Sequence, residues 1–446
     1  MKKQLILFFL VVLAAAGSLY ADSLTIEQVR SLALANSRSL AKYNLVIEGT
    51  YLDEKSRIYN YIPTPSLGGG ASVNLWNAQG GEPVTNPFDT LSAYGNVSVS
   101  QIIFQGGKTL VQKAINAIAS ESARKDAQAE YFNVLDSADS TYYAVLEAGA
   151  YLDAAESALQ NSMASLNIAE VRHDNGMINQ ADYLQALADK ESKENSRNQA
   201  RRALALNTSK LKTLIGAAFT PQPQEIDFSV YENLIQRLGN ASDTDFDSLY
   251  NQLYNQVTIA NPNLAKSLLA TKMADENVKL AQRGYSPTVS ASFSTGLNYT
   301  KDTGVKHNSG TLSLSATIPV DVWNTANTVA KSKISQEQTA LDYASISDQT
   351  QTDLQSDLIN ALSNAETVLS SRRAVDYAEM NFELIQEGYR LNQNSISDLT
   401  TASALLYTNR NNLISAQYGF LQSLSTLRSI GAIDDEQRLT DMLMGN

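Results

Sequence analysis

Few residues of this chain are spaced for chemistry. The two histidines, His173 and His307, are far apart in the sequence, and there is no cysteine to supply a thiolate ligand or nucleophile. The glycine turn Gln105–Lys108 lacks the full spacing of a phosphate-binding loop, so a corner between a strand and a helix explains it better. No nucleophile has a base partner in the sequence. We therefore predict no catalytic residue, no metal site and no cofactor.

The elements that would position functional residues are long helices. From Leu354 onward apolar residues recur every seven positions, which keeps one stripe of a helix against a neighbour. After a polar break at Arg390–Ser397 the same period resumes. The two ladders are Leu354, Ala361, Val368, Val375, Phe382 and Tyr389, then Leu399, Leu406, Leu413, Phe420 and Leu427. The pattern predicts an antiparallel helical hairpin with a tight apex, and we interpret this hairpin as one stave of a tube.

The start of the chain has the order of a secretory signal. Lys2 and Lys3 precede an apolar run over 5–16 and then small residues, which predicts a signal peptide at 1–21. After its removal 46 acidic residues stand against 32 basic ones, a net charge of −14. An acidic surface argues against nucleic acid as a partner. No later segment is apolar for long enough to form a transmembrane helix.

The rest of the chain is an internal repeat with two copies of one structural unit. Each copy has a helix that a proline stops, two strands separated by a polar loop, and a long helical hairpin. We expect the first helix over 22–62 and the second polar loop over 300–309. The predicted bounds are 22–216 for the first repeat, with strands 66–76 and 92–104 and hairpin 108–215, and 243–431 for the second, with strands 287–299 and 310–320 and hairpin 324–430. A linker, 217–242, and a tail, 432–446, complete the chain.

The strand lengths suit an outer membrane. Each predicted strand has about ten to thirteen residues and alternates small polar with apolar positions, as a wall between lipid and water requires. A strand of a soluble sandwich alternates in the same way. Four strands cannot close a barrel, and open edges are not tolerated in lipid, so several copies must join. Two copies would give a filled eight-stranded barrel, whereas three would give twelve strands with room for a lumen.

The ordered duplication resembles the outer membrane efflux protein family of TolC-like channels. The resemblance is carried by the apices GMINQADYLQA (176–186) and NSISDLTTASALLY (394–407), by the helices that end in LIG or SIG, and by the proline-stopped strands. It implies a homotrimer with a twelve-stranded β-barrel in the outer membrane and an α-helical barrel in the periplasm. It also implies an equatorial region formed by 217–240 and the tail after Gly431.

The resemblance further implies a role and partners. Members of the family serve as exit ducts of drug efflux pumps or type I secretion systems, and they meet an inner membrane transporter through a periplasmic adaptor. The residues at both apices would contact that adaptor: Asn175, Gly176, Asn179, Asp182, Asn392, Asn394 and Ser397.

A periplasmic gate is also implied. Asp398 matches the first acidic position of the family constriction, and Thr401 occupies the second. Tyr389 matches a tyrosine that holds the closed state. The arginine that the family often places nearby is Asn394 here, and the expected apex glycine is Asn392.

The carboxylates at the apices have two interpretations. Three copies of Asp398 meeting near an axis would repel one another and bind cations. Alternatively Asp398 only caps its helix, a position that aspartate favours. For Asp182, at the start of the first return helix, we favour capping.

Aromatic residues near the strand ends would suit a girdle at the two membrane interfaces, although core packing explains any one of them equally well. They are Trp76, Tyr94, Phe104, Phe293, Tyr299 and Trp323.

The prediction is thus a mainly α protein with β strands, long helical hairpins that form a periplasmic α-barrel, and four strands per chain in a trimeric barrel. It would act as the passive exit duct of a tripartite pump or type I secretion system, in contact with outer membrane lipid. The alternative is a periplasmic coiled-coil scaffold without a pore. A hydrolase would need a cluster of titratable residues that the sequence does not contain.

Overall fold

The computed structural model describes residues 23–56, 59, 62–75, 83, 86–301, 304–307 and 310–445. The predicted signal peptide and Trp76 lie outside these residues. The chain divides into two compact units. The first holds the residues up to Ala41, Gln128–Pro262 and those from Asp348 onward, and the second holds Lys42–Ala127 and Asn263–Ser347.

Helices make up most of the described chain. Their bounds are α1 Ile26–Asn36, α2 Arg38–Ser56, α3 Lys108–Asp174, α4 Gln180–Ile215, α5 Glu232–Gly239, α6 Asp243–Ala260, α7 Pro262–Gln282, α8 Val322–Arg390, α9 Ile396–Ile430 and α10 Glu436–Met444. At about 1.5 Å per residue, the 67 residues of α3 extend about 100 Å. Among the described helices, none combines the length and the apolarity that crossing a bilayer requires.

The single helix predicted over 22–62 is two helices. Ser37 adopts an extended backbone conformation after α1, and its hydroxyl accepts a hydrogen bond of 3.1 Å from the amide of Leu40. A serine in this position caps a new helix, because it satisfies an amide that has no partner inside the helix. The chain therefore restarts as α2 instead of continuing.

The first unit is held together by the predicted ladders. All six residues of the ladder from Leu354 to Tyr389 are buried, and so are Leu399, Leu406, Phe420 and Leu427 on α9. On α3 a row of small residues at the same seven-residue spacing is buried: Ala148, Ala155, Ser162 and Ala169. Small residues let helices approach closely, so the seven-residue period correctly predicts which stripe is packed.

A buried ionic cluster ties the first unit together far from the hairpin apices. Asp139 accepts hydrogen bonds from Arg30, Arg428 and Ser425, at 2.6 Å from Arg30 Nε and 2.6 Å from Arg428 Nη2. Arg30 also pairs with Glu436, which accepts a 3.0 Å hydrogen bond from the hydroxyl of Tyr231. The segment after α4 and the C-terminal tail are thus joined by a direct contact. The sequence analysis did not predict this cluster.

The second unit contains one antiparallel sheet. The strands are β1 Thr64–Ser72, β2 Ser92–Phe104, β3 Thr288–Thr300, β4 Gly304–His307 and β5 Thr311–Thr317. Strand β1 pairs with β2, β2 with β3, and β3 with both β4 and β5. Compared with the predicted bounds, β1 begins and ends earlier, β5 ends earlier, and β4 occupies part of the segment expected to be a polar loop.

A tight corner joins β2 to α3. Gly106 and Gly107 both have positive φ, and a Cβ built on Gly106 would lie 1.9 Å from Cβ of Ser286. Only glycine fits such a backbone conformation and such a close approach. The glycine turn at 105–108 is therefore a structural corner, as the sequence analysis expected.

Candidate functional site

One face of the sheet is apolar and exposed. Residues that are paired across strands point to the same side, and the register places Phe293 opposite both Val99 and Leu312. The same side carries Leu67, Val97, Leu297 and Leu314. The side chains of Leu67, Leu312 and Leu314 are 84%, 80% and 74% exposed in the single chain. A patch of this kind marks a surface that meets lipid or another protein.

The opposite face is lined with hydroxyl groups. Ser66, Ser98 and Ser294 form one row across β1, β2 and β3, and Ser100 pairs with Ser292 in the next row. Ser66 and Ser98 are joined by a 2.6 Å hydrogen bond, and Ser290 and Ser315 by one of 2.9 Å. Strands β1, β2, β3 and β5 carry no Asp, Glu, Lys or Arg. The sheet therefore separates an apolar side from a neutral hydrophilic side.

The two outer strands of the sheet have free edges. Within the described residues β1 pairs only with β2, and β5 pairs only with β3. Each free edge presents unpaired backbone amides and carbonyls, which readily accept another strand. Both sides of the sheet can therefore accept a further strand.

The register sorts the predicted aromatic girdle. Phe104, Phe293 and Tyr299 lie on the apolar face, whereas Tyr94 pairs with Asn298 on the serine-lined face. Tyr94 cannot belong to a girdle on the apolar side, and this part of the prediction is corrected. The sequence already indicated this face, since Tyr94 is four positions from Ser98 and three from Val97, and residues an even number of positions apart share a face of a strand.

Position along the strands sorts them further. Phe104 and Tyr299 lie near opposite ends of the sheet, as predicted. Phe293 was also predicted to lie near a strand end, but it lies in the middle of β3. Trp323 is exposed in the first turn of α8. The stretch from Val289, which pairs with Phe104, to Tyr299 spans ten residues, about 33 Å along the strand.

The two hairpin apices have matching backbones. Gly176 in the first apex has φ +67° and Asn392 in the second has φ +62°. Asparagine tolerates this left-handed conformation better than most residues, so it replaces the glycine that the family resemblance led us to expect. The Nδ2 of Asn175 donates a 2.6 Å hydrogen bond to the carbonyl of Val171 and closes the first turn.

The N-cap positions differ from the sequence interpretation. The side chain of Asn179 caps α4 by accepting a 2.9 Å hydrogen bond from the amide of Asp182. Ser395 caps α9, and Asp398 is the third helical residue. Neither aspartate is therefore the N-cap that the capping interpretation assumed, because another residue that favours the N-cap position, Asn179 or Ser395, occurs three residues earlier in each apex.

Asp398 completes a capping box. Its Oδ2 accepts hydrogen bonds from the amide of Ser395 at 3.0 Å and from the hydroxyl of Ser395 at 2.7 Å. These two bonds hold the pKa of Asp398 below its ordinary value, so the carboxylate is ionised. It is also exposed to solvent, while the hydroxyl of Thr401 is bonded to the carbonyl of Ser397. The geometry supports capping and leaves the carboxylate accessible to a cation.

Tyr389 has a cationic neighbour, although the position where the family often has an arginine is Asn394 in this chain. Asn394 lies against Gly388: a Cβ built on Gly388 would be 2.3 Å from Nδ2 of Asn394. The cation is Arg172 at the end of α3, whose Cζ lies 4.6 Å from the centroid of the Tyr389 ring. Nη2 of Arg172 also donates to the carbonyls of Tyr389 and Arg390, at 2.5 Å and 3.1 Å. Burial raises the pKa of the Tyr389 phenol, and Arg172 opposes that shift.

The remaining candidates for chemistry are structural. The Nε2 of His173 lies 2.9 Å from Oε1 of Gln180, and its ring stacks on Tyr183. Among the residues that the structure describes, no group of three or more His, Asp or Glu side chains is arranged to hold a metal ion.

Comparisons with known proteins agree with this fold. The family model for outer membrane efflux protein matches residues 29–217 and 253–431. Outer membrane protein TolC of Escherichia coli (strain K12) is 22% identical over 400 residues, which are 84% of this chain and 76% of the relative.

Solved structures agree along nearly the whole chain. CusC, a transmembrane channel protein, has a TM-score of 0.74 at 16% identity, with 93% of this chain and 95% of that chain covered. The outer membrane protein VceC of Vibrio cholerae has a TM-score of 0.70 at 14% identity, with coverage of 91% and 96%. At these identities the two structures are similar to this chain in fold.

Proposed function

The chain belongs to the outer membrane efflux protein family, a family of outer membrane channels and not of enzymes, and from this premise we propose that three copies form the exit duct of a tripartite efflux pump or type I secretion system. The sheets of the three chains join into a twelve-stranded barrel through the outer membrane. The helical hairpins line a passage in the periplasm. The proposal rests above all on the two-faced sheet.

The faces of the sheet support a wall between lipid and water. The exposed leucines on the apolar side would be costly in water, whereas the neutral serine rows would be costly against lipid. The soluble cap of a scaffold protein would have no reason to expose Leu67, Leu312 and Leu314 together. This observation favours the channel over the coiled-coil scaffold without a pore.

The free edges support closure by further copies. In lipid every backbone amide and carbonyl must be paired, so β1 and β5 each need a strand from another chain. Each chain contributes four long strands, β1, β2, β3 and β5, so a trimer closes a barrel of twelve strands. Twelve strands leave a lumen, whereas the eight of a dimer would be filled by side chains.

The apices support a gate and a docking surface. We assign the constriction to Asp398 with Thr401 and Tyr389 near it, since Asp398 is ionised and exposed at the start of α9. The exposed residues of the two turns would meet a periplasmic adaptor that links the duct to an inner membrane transporter: Asn175, Gly176, Asn179, Asn392 and Ser397. Asp182, which is partly buried, would lie at the edge of this surface. Asn394, which is partly buried against Gly388, supports the shape of this surface.

Extraction, cross-linking and conductance test the proposal together. The full chain, expressed with its signal peptide, is expected to require detergent for extraction from the outer membrane fraction. It should cross-link to a species of three times the chain mass and conduct ions across a planar lipid bilayer. Recovery as a soluble monomer, or a cross-linked trimer that leaves the bilayer insulating, would overturn it.

A further inference from the structure

An open apolar cleft lies where β2 passes into α3. It has a volume of about 250 Å³ and is lined by residues of the segment 102–110. Among these residues Leu110 is 70% exposed, Ile103 58% and Phe104 49%. The register shifts just before Phe104 and places it opposite Val289, on the apolar face of the sheet. The apolar face therefore continues into a cleft at this end of the strand.

Three cations surround the cleft. Arg283 precedes β3, and its Nε and Cζ lie 3.9 Å from the position that a Cβ on Gly107 would take. Gly107 lines the cleft, so the guanidinium lies at its border. Lys108 is the next residue, and Lys113 follows in the second turn of α3. Arg283 and Lys113 are exposed and Lys108 is partly exposed, so all three can meet an anion from outside the chain.

No carboxylate of the chain neutralises these cations. Within the described residues none of the three forms an ion pair. The segment 100–120 has no acidic residue, and the last one before Arg283 on its own helix, Glu276, is paired with Lys279. Asp321, before α8, accepts a 3.2 Å hydrogen bond from the amide of Asn324. In a chain with 46 acidic and 34 basic residues, this unpaired positive cluster indicates an external anion.

The place of the cluster indicates which anion it meets. Strands β2 and β3 are inner strands of the sheet, so this corner lies away from the edges of β1 and β5, where further copies would join. Lys108 follows Phe104, on the apolar face, by only four positions. At the end of an apolar band in a membrane lies the layer of lipid headgroups. The neighbour of this corner is therefore a lipid and not a second copy of the chain.

We propose that this corner binds an anionic glycerophospholipid of the periplasmic leaflet, with the headgroup phosphate against Arg283 and Lys108 and an acyl chain in the cleft. The inference rests on the proposed function, because it presumes that the sheet crosses the outer membrane with the long helices on the periplasmic side. The planar guanidinium of an arginine suits a phosphate through two hydrogen bonds, and a lysine adds a point charge. Lys113 strengthens the local positive potential.

Lipid titration tests the proposal. The full chain, expressed with its signal peptide and purified in a non-ionic detergent, is titrated with dioleoyl-phosphatidylglycerol and, in parallel, with dioleoyl-phosphatidylcholine. Native mass spectrometry counts the bound lipids, and the same spectra report the assembled trimer. The wild-type trimer is expected to bind the anionic lipid roughly twentyfold more tightly than the zwitterionic one, since two cations contribute about fivefold each.

Charge variants locate the site. Arg283→Gln and Lys108→Gln should each weaken binding of the anionic lipid about fivefold and leave phosphatidylcholine unaffected. The double variant should bind both lipids alike; if it does not assemble, the single variants decide. Lys306→Gln removes an exposed cation at the opposite end of the sheet and should change neither affinity. An equal loss in Lys306→Gln would reveal only general attraction between positive charge and anionic lipid and would overturn the proposal.

Two further measurements test the acyl chain and the headgroup. Leu110→Ser removes apolar area from the cleft and should weaken binding of dioleoyl-phosphatidylglycerol severalfold. Unchanged affinity would overturn the assignment of an acyl chain to the cleft. Inorganic phosphate, compared with chloride at equal ionic strength, should not displace the lipid. Displacement would mean that the cations take the free ion and would overturn the lipid site.

The same protein separates this inference from the proposed function. A wild-type trimer that conducts ions but binds the two lipids alike overturns the lipid site and leaves the duct standing. A wild-type chain that prefers the anionic lipid but does not conduct refutes the duct and leaves the lipid site standing.

Discussion

Nη2 of Arg428 donates a 2.6 Å hydrogen bond to Oδ2 of Asp139, and neither side chain is more than 3% exposed. Arg30 donates to the same carboxylate from another helix, so one buried anion is shared by two cations. Asp139 thereby links α1, α3 and α9 within the first unit.

Removal of this anion should be strongly destabilising. Asp139→Ala leaves Arg428 buried without its carboxylate partner and Arg30 with Glu436 alone, and breaking a buried ion pair in this way typically costs about 3–5 kcal/mol. We expect a much lower midpoint of thermal unfolding, followed by circular dichroism. Asp153→Ala, on the exposed face of the same helix, is the matched control and should change stability by less than about 0.5 kcal/mol. Equal midpoints for the two variants would contradict the role of the cluster.

Asp357 should make stability depend on pH. Burial, together with the charges of Asp353 and Asp136, raises the pKa of Asp357 to about 6. Because the folded state favours the protonated carboxyl, the stabilising contribution is complete below about pH 4 and is lost as the pH rises through about 6.

Asp357→Asn imitates the protonated state at every pH. After allowance for solvent screening, it should be more stable than wild type by on the order of 1 kcal/mol at pH 7.5. The two proteins should have similar stability near pH 4. The exposed Asp348→Asn is the control and should keep the pH dependence of wild type. If Asp357→Asn is no more stable than wild type at pH 7.5, burial and the neighbouring carboxylates do not destabilise the ionised form of Asp357.

Asn392 should respond to substitution through its backbone. Its φ of +62° costs most residues about 1–2 kcal/mol, and a β-branched side chain is least tolerated there. Asn392→Gly is expected to be neutral or stabilising, whereas Asn392→Val should lower the unfolding midpoint and weaken any adaptor contact at the second apex. Thermal unfolding and an adaptor pull-down would measure these effects. Similar behaviour of both variants would argue that this turn adopts another conformation.

The two sides of β5 should respond oppositely to charge. Leu314→Asp places a carboxylate on the apolar face, while Ser313→Asp places one on the serine-lined face one residue away. A charge against lipid is costly, so Leu314→Asp should reduce the yield of assembled trimer in the outer membrane severalfold. Ser313→Asp should assemble normally and shift ion selectivity toward cations. Normal assembly of both variants would mean that the apolar face does not meet lipid.

Asp398 should govern block by cations if its carboxylate lines the constriction. Asp398→Asn keeps an acceptor for the Ser395 hydrogen bonds but removes the charge. Block of the reconstituted channel by polyvalent cations is expected to weaken, because three negative charges would be lost from one ring. Block at the wild-type concentration of cation would show that the carboxylate only completes the capping box.

Local patterns were sufficient to predict the periodic parts of this fold. The seven-residue period identified the buried stripe of α8 and α9. The alternation around Val97 and Val99 predicted a strand over 92–104, and β2 has these bounds. The start of β1 was missed because Pro65 was taken as a stop. Proline is tolerated in β1 because this is an outer strand, which pairs only with β2 within the described residues.

Contacts between distant parts of the chain could not be predicted in this way. Arg172 and Tyr389 are 217 positions apart, and Arg428 and Asp139 are 289 positions apart. The charged residues among them also suit an ordinary helix surface, so nothing local distinguishes a buried arginine from a solvated one. The gate prediction consequently looked for a cation next to Tyr389 in sequence and missed the one supplied by the other hairpin.

The neutral rows of serine bear on what can travel through such a duct. A hydroxyl both gives and takes hydrogen bonds, and β1, β2, β3 and β5 hold no ionised side chain. Anionic, cationic and zwitterionic cargo would be treated alike along that lining, with neither sign held back nor drawn in. Any preference for one compound over another must then be exercised before the cargo arrives there.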